Sequence, residues 1–121
     1  MGKYEIRTDV TKNRMYLKLA GFFHEEEIAG DIDIILEEVK KLKPGYDAVS
    51  EINEFKPASP KAAAAMMKAQ KALKESGLNR IIRVSGSNVL GRKQFERSGK
   101  EAGYSADTAS SVEEADRMLD N

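Results

Sequence analysis

Apolar residues recur along this chain in two periods, and the changes from one to the other mark out its elements. Tyr4-Glu5-Ile6-Arg7-Thr8 and Met15-Tyr16-Leu17-Lys18-Leu19-Ala20-Gly21 alternate in steps of two, the repeat of a strand whose side chains point to opposite faces. Asp9 and Asn13 supply turn chemistry between them, so the chain opens on a hairpin. Over 25–42 the step lengthens: Ile28, Ile32, Ile35, Leu36, Val39 and Leu42 form one stripe at helical spacing. Glu25, Glu26 and Glu27 at its start and Lys40, Lys41 and Lys43 at its end suit the helix dipole, and Pro44-Gly45 stops it.

Tyr46 to Ile52 alternates again. The chain then passes through Pro57-Ala58-Ser59-Pro60 into a helix running to Ser76. Ser59 is a good N-cap there, and Pro60 fits the first helical position, where no N–H is needed. Ala62, Met66, Ala69 and Leu73 are its inward positions, Lys61, Lys68, Lys71 and Lys74 lie opposite, and Gly77 ends it. Asn79 to Ser85 has the continuous apolar centre of a covered parallel strand. Gly86-Ser87-Asn88 turns into a helix over Val89 to Ala102, with Leu90, Phe95, Ser98 and Ala102 expected inward and Gly103 as its cap. Tyr104 to Ala109 is a short strand candidate. Ser110 and Ser111, each followed three residues on by Glu113 and Glu114, offer two capping boxes for a last helix, whose Val112, Ala115, Met118 and Leu119 face in.

The order ββαβαβαβα predicts an α/β fold: a single mixed, largely parallel sheet with helices packed against it, spanning 1–121 as one domain. Right-handed crossovers between sequential strands would set helices 60–76 and 88–102 side by side on one face.

Composition narrows the function classes. With 121 residues, 40% of them hydrophobic and 33% charged, the chain is of globular type. It has no cysteine, which excludes disulfides and thiol catalysis. No apolar run approaches the roughly 20 residues of a membrane span, and no signal peptide is recognisable, so a cytoplasmic location is expected. The net charge of zero conceals an uneven distribution. Residues 68–100 carry nine basic side chains against two acidic ones, whereas residues 101–121 carry one against six. On the two adjacent helices, Lys68, Lys71, Lys74, Lys93, Arg97 and Lys100 would project outward together, a patch suited to an acidic protein, a phosphate-bearing ligand or a membrane surface. It lacks the interleaved aromatics of single-strand nucleic-acid binders, so nucleic acid is not an expected partner.

Catalytic motifs are weak. Gly86-Ser87-Asn88-Val89-Leu90-Gly91-Arg92-Lys93 is loop-like in its glycines, but Arg92 and Lys93 stand where a P-loop needs Lys and then a metal-holding hydroxyl. It reads as a turn with an N-cap whose Ser87 and Asn88 amides leave room for a weakly bound anion. His24 is the only histidine and cannot build a zinc site without carboxylate help, while Glu25 to Glu27 are explained by the dipole. Asp31 and Asp33, two apart, point to different helix faces and read as solvated surface. No cofactor, metal site or catalytic residue is expected.

The element order, the Leu17 to Gly21 strand ending in Gly before the first helix, the Tyr46 to Ile52 strand before Ser59, and the final Ser111-Val112-Glu113-Glu114-Ala115 together resemble the STAS domain and the SpoIIAA-like family of anti-sigma-factor antagonists. The resemblance covers nearly the whole chain and is mainly one of pattern. It implies a non-enzymatic, bacterial-type regulatory module that binds another protein, or alternatively a carrier for a small apolar or anionic ligand lying between the sheet and helix 25–42 or 60–76. The antagonists carry a phosphorylated serine at the N-terminus of the second helix within an Asp-Ser-Ser-Gly-like motif. Ser59 matches that serine within Ala58-Ser59-Pro60-Lys61, without the preceding Asp and following Gly. The resemblance thus points to Ser59 and Lys61 as partner-binding residues, with Ser59 as a phosphosite.

Overall fold

Seven residues alternating across the sheet plane, then eight more after a tight turn, begin the fold as a two-stranded ribbon. A computed structural model describes residues 2–121 and gives β1 (Lys3–Asp9), β2 (Arg14–Gly21), α1 (Glu25–Val39), β3 (Asp47–Phe55), α2 (Pro60–Glu75), β4 (Ile81–Val84), α3 (Val89–Ala102), β5 (Asp107–Ala109) and α4 (Val112–Asp120). Asn13 closes the β1–β2 turn with φ 54°, a left-handed conformation that asparagine tolerates better than most side chains. The five strands lie in sequence order; β1 and β2 are antiparallel, and β2 through β5 are parallel. The α/β architecture with one mixed, mostly parallel sheet is therefore the observed one.

Strand alternation divides the core between the two faces. Met15 and Leu17 of β2, Ala48 of β3 and Ile81 of β4 pack against α1 and α2 through Ile35, Val39 and Leu73. Farther along the same strands, Ile52 and Phe55 meet Ala62, Met66 and Phe95, with the Phe55 and Phe95 rings edge to face at 4.9 Å. Tyr16, Val49, Ile82 and Val84 point the other way, onto α4 and its buried Ala115. Three helices thus cover one face and a single short helix covers part of the other.

Polar contacts anchor α4 where its apolar contact is thin. Arg14, only 3% exposed, donates from Nη1 to Asp116 at 2.8 Å and from Nη2 to Asp120 at 2.9 Å. The Tyr16 hydroxyl donates to the same Asp116 oxygen. Burial pushes the Asp116 carboxyl up, but the bonds from Tyr16 and Arg14 outweigh it and hold the group below its ordinary range. Burial and the neighbouring Asp116 hold the Tyr16 phenol above its usual value.

Several details differ from the sequence expectation. The first helix ends at Val39 with Lys40 as its cap, so Leu42 joins the core from the turn that follows. β3 runs on to Phe55, past Ile52. β4 and β5 are shorter than the apolar and polar runs containing them, because pairing is limited to Ile81–Val84 and Asp107–Ala109. Leu90 points to solvent, 70% exposed, and Gly91 takes the inward place in α3. The Asn88 side chain occupies the space beside Gly91, 2.6 Å from where a Cβ would stand.

Candidate functional site

Ser59 begins α2 in an extended conformation, and its hydroxyl accepts from the Ala62 amide at 3.2 Å. Pro60 follows at the first helical position, so the local sequence accounts for the helix start without further partners. The residue before it is held from α3. Gln94 accepts from the Ala58 amide at 2.7 Å and donates to the Ala58 carbonyl at 2.9 Å. Six residues earlier, Asn88 donates to the carbonyls of Ile52 at 2.8 Å and Phe55 at 2.7 Å while capping α3 through the Gly91 amide at 3.0 Å. The β3–α2 connection is therefore pinned at both ends to α3, leaving Ser59 and Lys61 exposed on a fixed backbone.

The electrostatics of that edge are unbalanced. α2 has no acidic residue in its first turn, and Lys61 adds positive charge where the helix dipole is already positive. The exposed Leu90 lies one turn before Gln94, the residue that holds Ala58, on the same side of α3. The junction thus joins an exposed hydroxyl, an unopposed positive helix end and an apolar side chain.

The six predicted cations lie on α2 and α3, on positions other than the buried ones of each helix. Lys68, Lys71 and Lys74 of α2 and Lys93, Arg97 and Lys100 of α3 are all exposed, and α2 and α3 pack against each other. None of the six takes part in an ion pair among the described residues, whereas Lys40 and Lys41 pair with Glu37 and Glu38, and Arg92 pairs with Glu96. Lys74 reaches across to the Gly103 carbonyl and ties α2 to the end of α3.

Other sequence candidates have structural roles. His24 caps α1, its amide donating to Glu27 at 3.1 Å, and its ring meets Phe22 edge to face. The Asn88 amide donates to the Ser85 carbonyl at 2.8 Å and the Val89 amide to Ser87, so Asn88 does not offer its N–H to an anion. No group of three or more His, Asp or Glu side chains among the described residues is placed to hold a metal ion. Among the described residues, no helix is long and apolar enough to cross a membrane.

One anticipated feature and one that escaped the sequence pattern remain. A narrow apolar cavity of about 80 Å³ lies at the seam of α1 and α2, lined by Leu19, Phe23, Ile28, Met66 and Ala69, with Asp31 at its border. Asp31 is therefore not plain solvated surface; burial, then the nearby Glu27, raises its pKa. A larger cleft of about 430 Å³ opens between α3 and the segment leading into β5, with the Arg83 side chain among its walls. Arg83 sits between Ile82 and Val84 in a four-residue strand, so its charge is concealed within an apolar run; the alternation Ile81, Arg83, Ser85 onto the helix-covered face is the signal that locates it.

No protein-family model matches the chain, and a search of curated proteins finds no match either.

Proposed function

We propose that the chain is a STAS/SpoIIAA-like, non-enzymatic interaction module. Its docking surface runs from Ser59, Lys61 and Leu90 along the outer sides of α2 and α3, and its partner is a regulatory protein with an acidic face. One observation carries this reading: six exposed cations on two packed helices form no ion pair among the described residues, while Lys40, Lys41 and Arg92 do. A solvated surface of no function ordinarily mixes both signs; an unmatched stripe favours encounter with an acidic partner. A phosphate on Ser59 would place roughly 1.5–2 negative charges at the positive end of α2. It would neutralise Lys61 and repel an acidic partner, giving the surface an off state.

The test compares captures from the source organism's lysate by the wild type, a Lys68→Glu/Lys71→Glu/Arg97→Glu variant, Ser59→Asp and Ser59→Ala. The wild type and Ser59→Ala should retain the same protein; the triple variant and Ser59→Asp should lose it. Equal recovery by all four would end the proposal.

A second reading, a carrier for a small apolar ligand, draws on the cavity between α1 and α2. At about 80 Å³ it is roughly half the 150 Å³ or so that takes a benzene molecule. A lipid would fit only after the two helices part. Native mass spectrometry of freshly purified protein would show retained mass if they do.

A further inference from the structure

We propose that the cleft between α3 and the 104–106 segment is a binding site for a small organic oxyanion, a carboxylate or phosphate on an apolar body, with Arg83 as the residue that recognises it. Arg83 is 2% exposed and is the largest of the fully buried side chains. A guanidinium cannot shed its proton to escape burial, and a buried charge is ordinarily matched by a carboxylate. No carboxylate pairs with Arg83 among the described residues, and its Nε is wholly enclosed without a partner; the Tyr104 side chain is its neutral hydrogen-bonding neighbour. It also stacks, with the guanidinium carbon 4.9 Å from the centre of the Phe95 ring.

The surroundings are arranged for an anion rather than for a cation. Arg83 lines a cleft of about 430 Å³ whose other walls include Lys100, Tyr104 and Ser105, within the range of small-molecule sites. Lys100 supplies a second positive charge at the rim, and Tyr104 and Ser105 supply hydroxyl donors. Phe95, Gly99 and Ala106 add apolar wall for the body of the ligand. The chain packs closely here: a Cβ on Gly99 would be in contact with the Tyr104 carbonyl oxygen at 3.4 Å. The one acidic wall residue, Glu96, is engaged with Arg92 at 3.3 Å on the outer side of α3. Burial lowers the Arg83 pKa, with Tyr104 and Glu96 opposing; a bound oxyanion would relieve that penalty. The site is separate from the docking stripe except at Lys100, and it requires no protein partner.

The experiment uses the purified full chain and amide-resolved NMR titration with benzoate, phenyl phosphate and the neutral benzyl alcohol. Either anion should bind at millimolar concentration or tighter, shifting the amides of Arg83, Gly99, Tyr104 and Ser105, and the stronger of the two identifies the headgroup. Arg83→Met should weaken binding by about tenfold or more while keeping the fold, since an apolar side chain of similar length suits a buried site. If Arg83→Met does not fold, Lys100→Glu at the exposed rim should also weaken binding severalfold. Anions that shift the spectrum no more than benzyl alcohol does, or a folded variant that binds as tightly as the wild type, would overturn the proposal and leave Arg83 a stacked core residue.

Discussion

Replacing Ser59 separates its role as a helix cap from its proposed role as a switch. The hydroxyl accepts from the Ala62 amide at 3.2 Å, and Ala62 is 0% exposed. That N–H therefore has little access to water once the hydroxyl is gone. Loss of an N-cap ordinarily costs about 1 kcal/mol, and the enclosure of Ala62 places Ser59→Ala in the upper half of the range, at about 1–2 kcal/mol. Ser59→Asp keeps an acceptor in the same place and adds charge favourable to the dipole, worth about 0.3–1 kcal/mol in a first turn that has no other acid. The expected order of stability is thus Asp at or above Ser, and both above Ala. Urea titration followed by far-ultraviolet circular dichroism reads the difference. With a denaturant slope of about 2 kcal/mol per molar, Ser59→Ala should lower the midpoint by about 0.5–1 M. A midpoint unchanged in Ser59→Ala, or lowered in Ser59→Asp as far as in Ser59→Ala, would refute the capping geometry. Because the two variants move stability and the proposed binding in opposite directions, loss of partner by Ser59→Asp cannot be ascribed to unfolding.

Two further predictions concern the frame around the site. Asp116 has a folded pKa below its ordinary value near 3.8; its contribution is complete above that value and is lost as pH falls through the lower folded one. Asp116→Asn should therefore cost about 1–2 kcal/mol at neutral pH and close the stability gap to the wild type as pH drops below about 4, measured by urea titration across pH. Gly77 has φ 110°, and a Cβ there would stand 2.8 Å from the Pro44 Cα. Gly77→Ala should destabilise by more than about 1 kcal/mol in the same assay, with near-normal stability counting against the α2–β4 turn geometry.

How much of this could be read from the sequence depended on whether the relevant signal was local. Alternation in β1 and β2, the α1 stripe and the Ser59-Pro60 and Ser111 caps are properties of neighbouring residues, and each element formed where its pattern placed it, apart from the early end of α1 at Val39. The side-by-side packing of α2 and α3 followed from crossover handedness, a rule of topology. Leu90 was misplaced because a Leu two residues into an amphipathic helix looks inward until Asn88 is seen to occupy the space beside Gly91. Gln94 and Asn88 were invisible as the clamps of the Ser59 junction, since both act across more than thirty residues of chain. Arg83 entered only as one of the nine basic residues in 68–100, and it is the register of β4 that turns it into the helix-covered face. Its isolation from any carboxylate is a fact of three dimensions only.

The docking surface is tested most directly by lysine footprinting with an acylating reagent, in cells of the source organism and on the purified chain. Protection in cells should fall on Lys61, Lys68, Lys71, Lys93 and Lys100, while Lys40, Lys41 and Lys43 at the far end of α1 keep the reactivity they have in isolation. Uniform reactivity in the two settings, or protection centred on α1, would contradict a partner seated on α2 and α3.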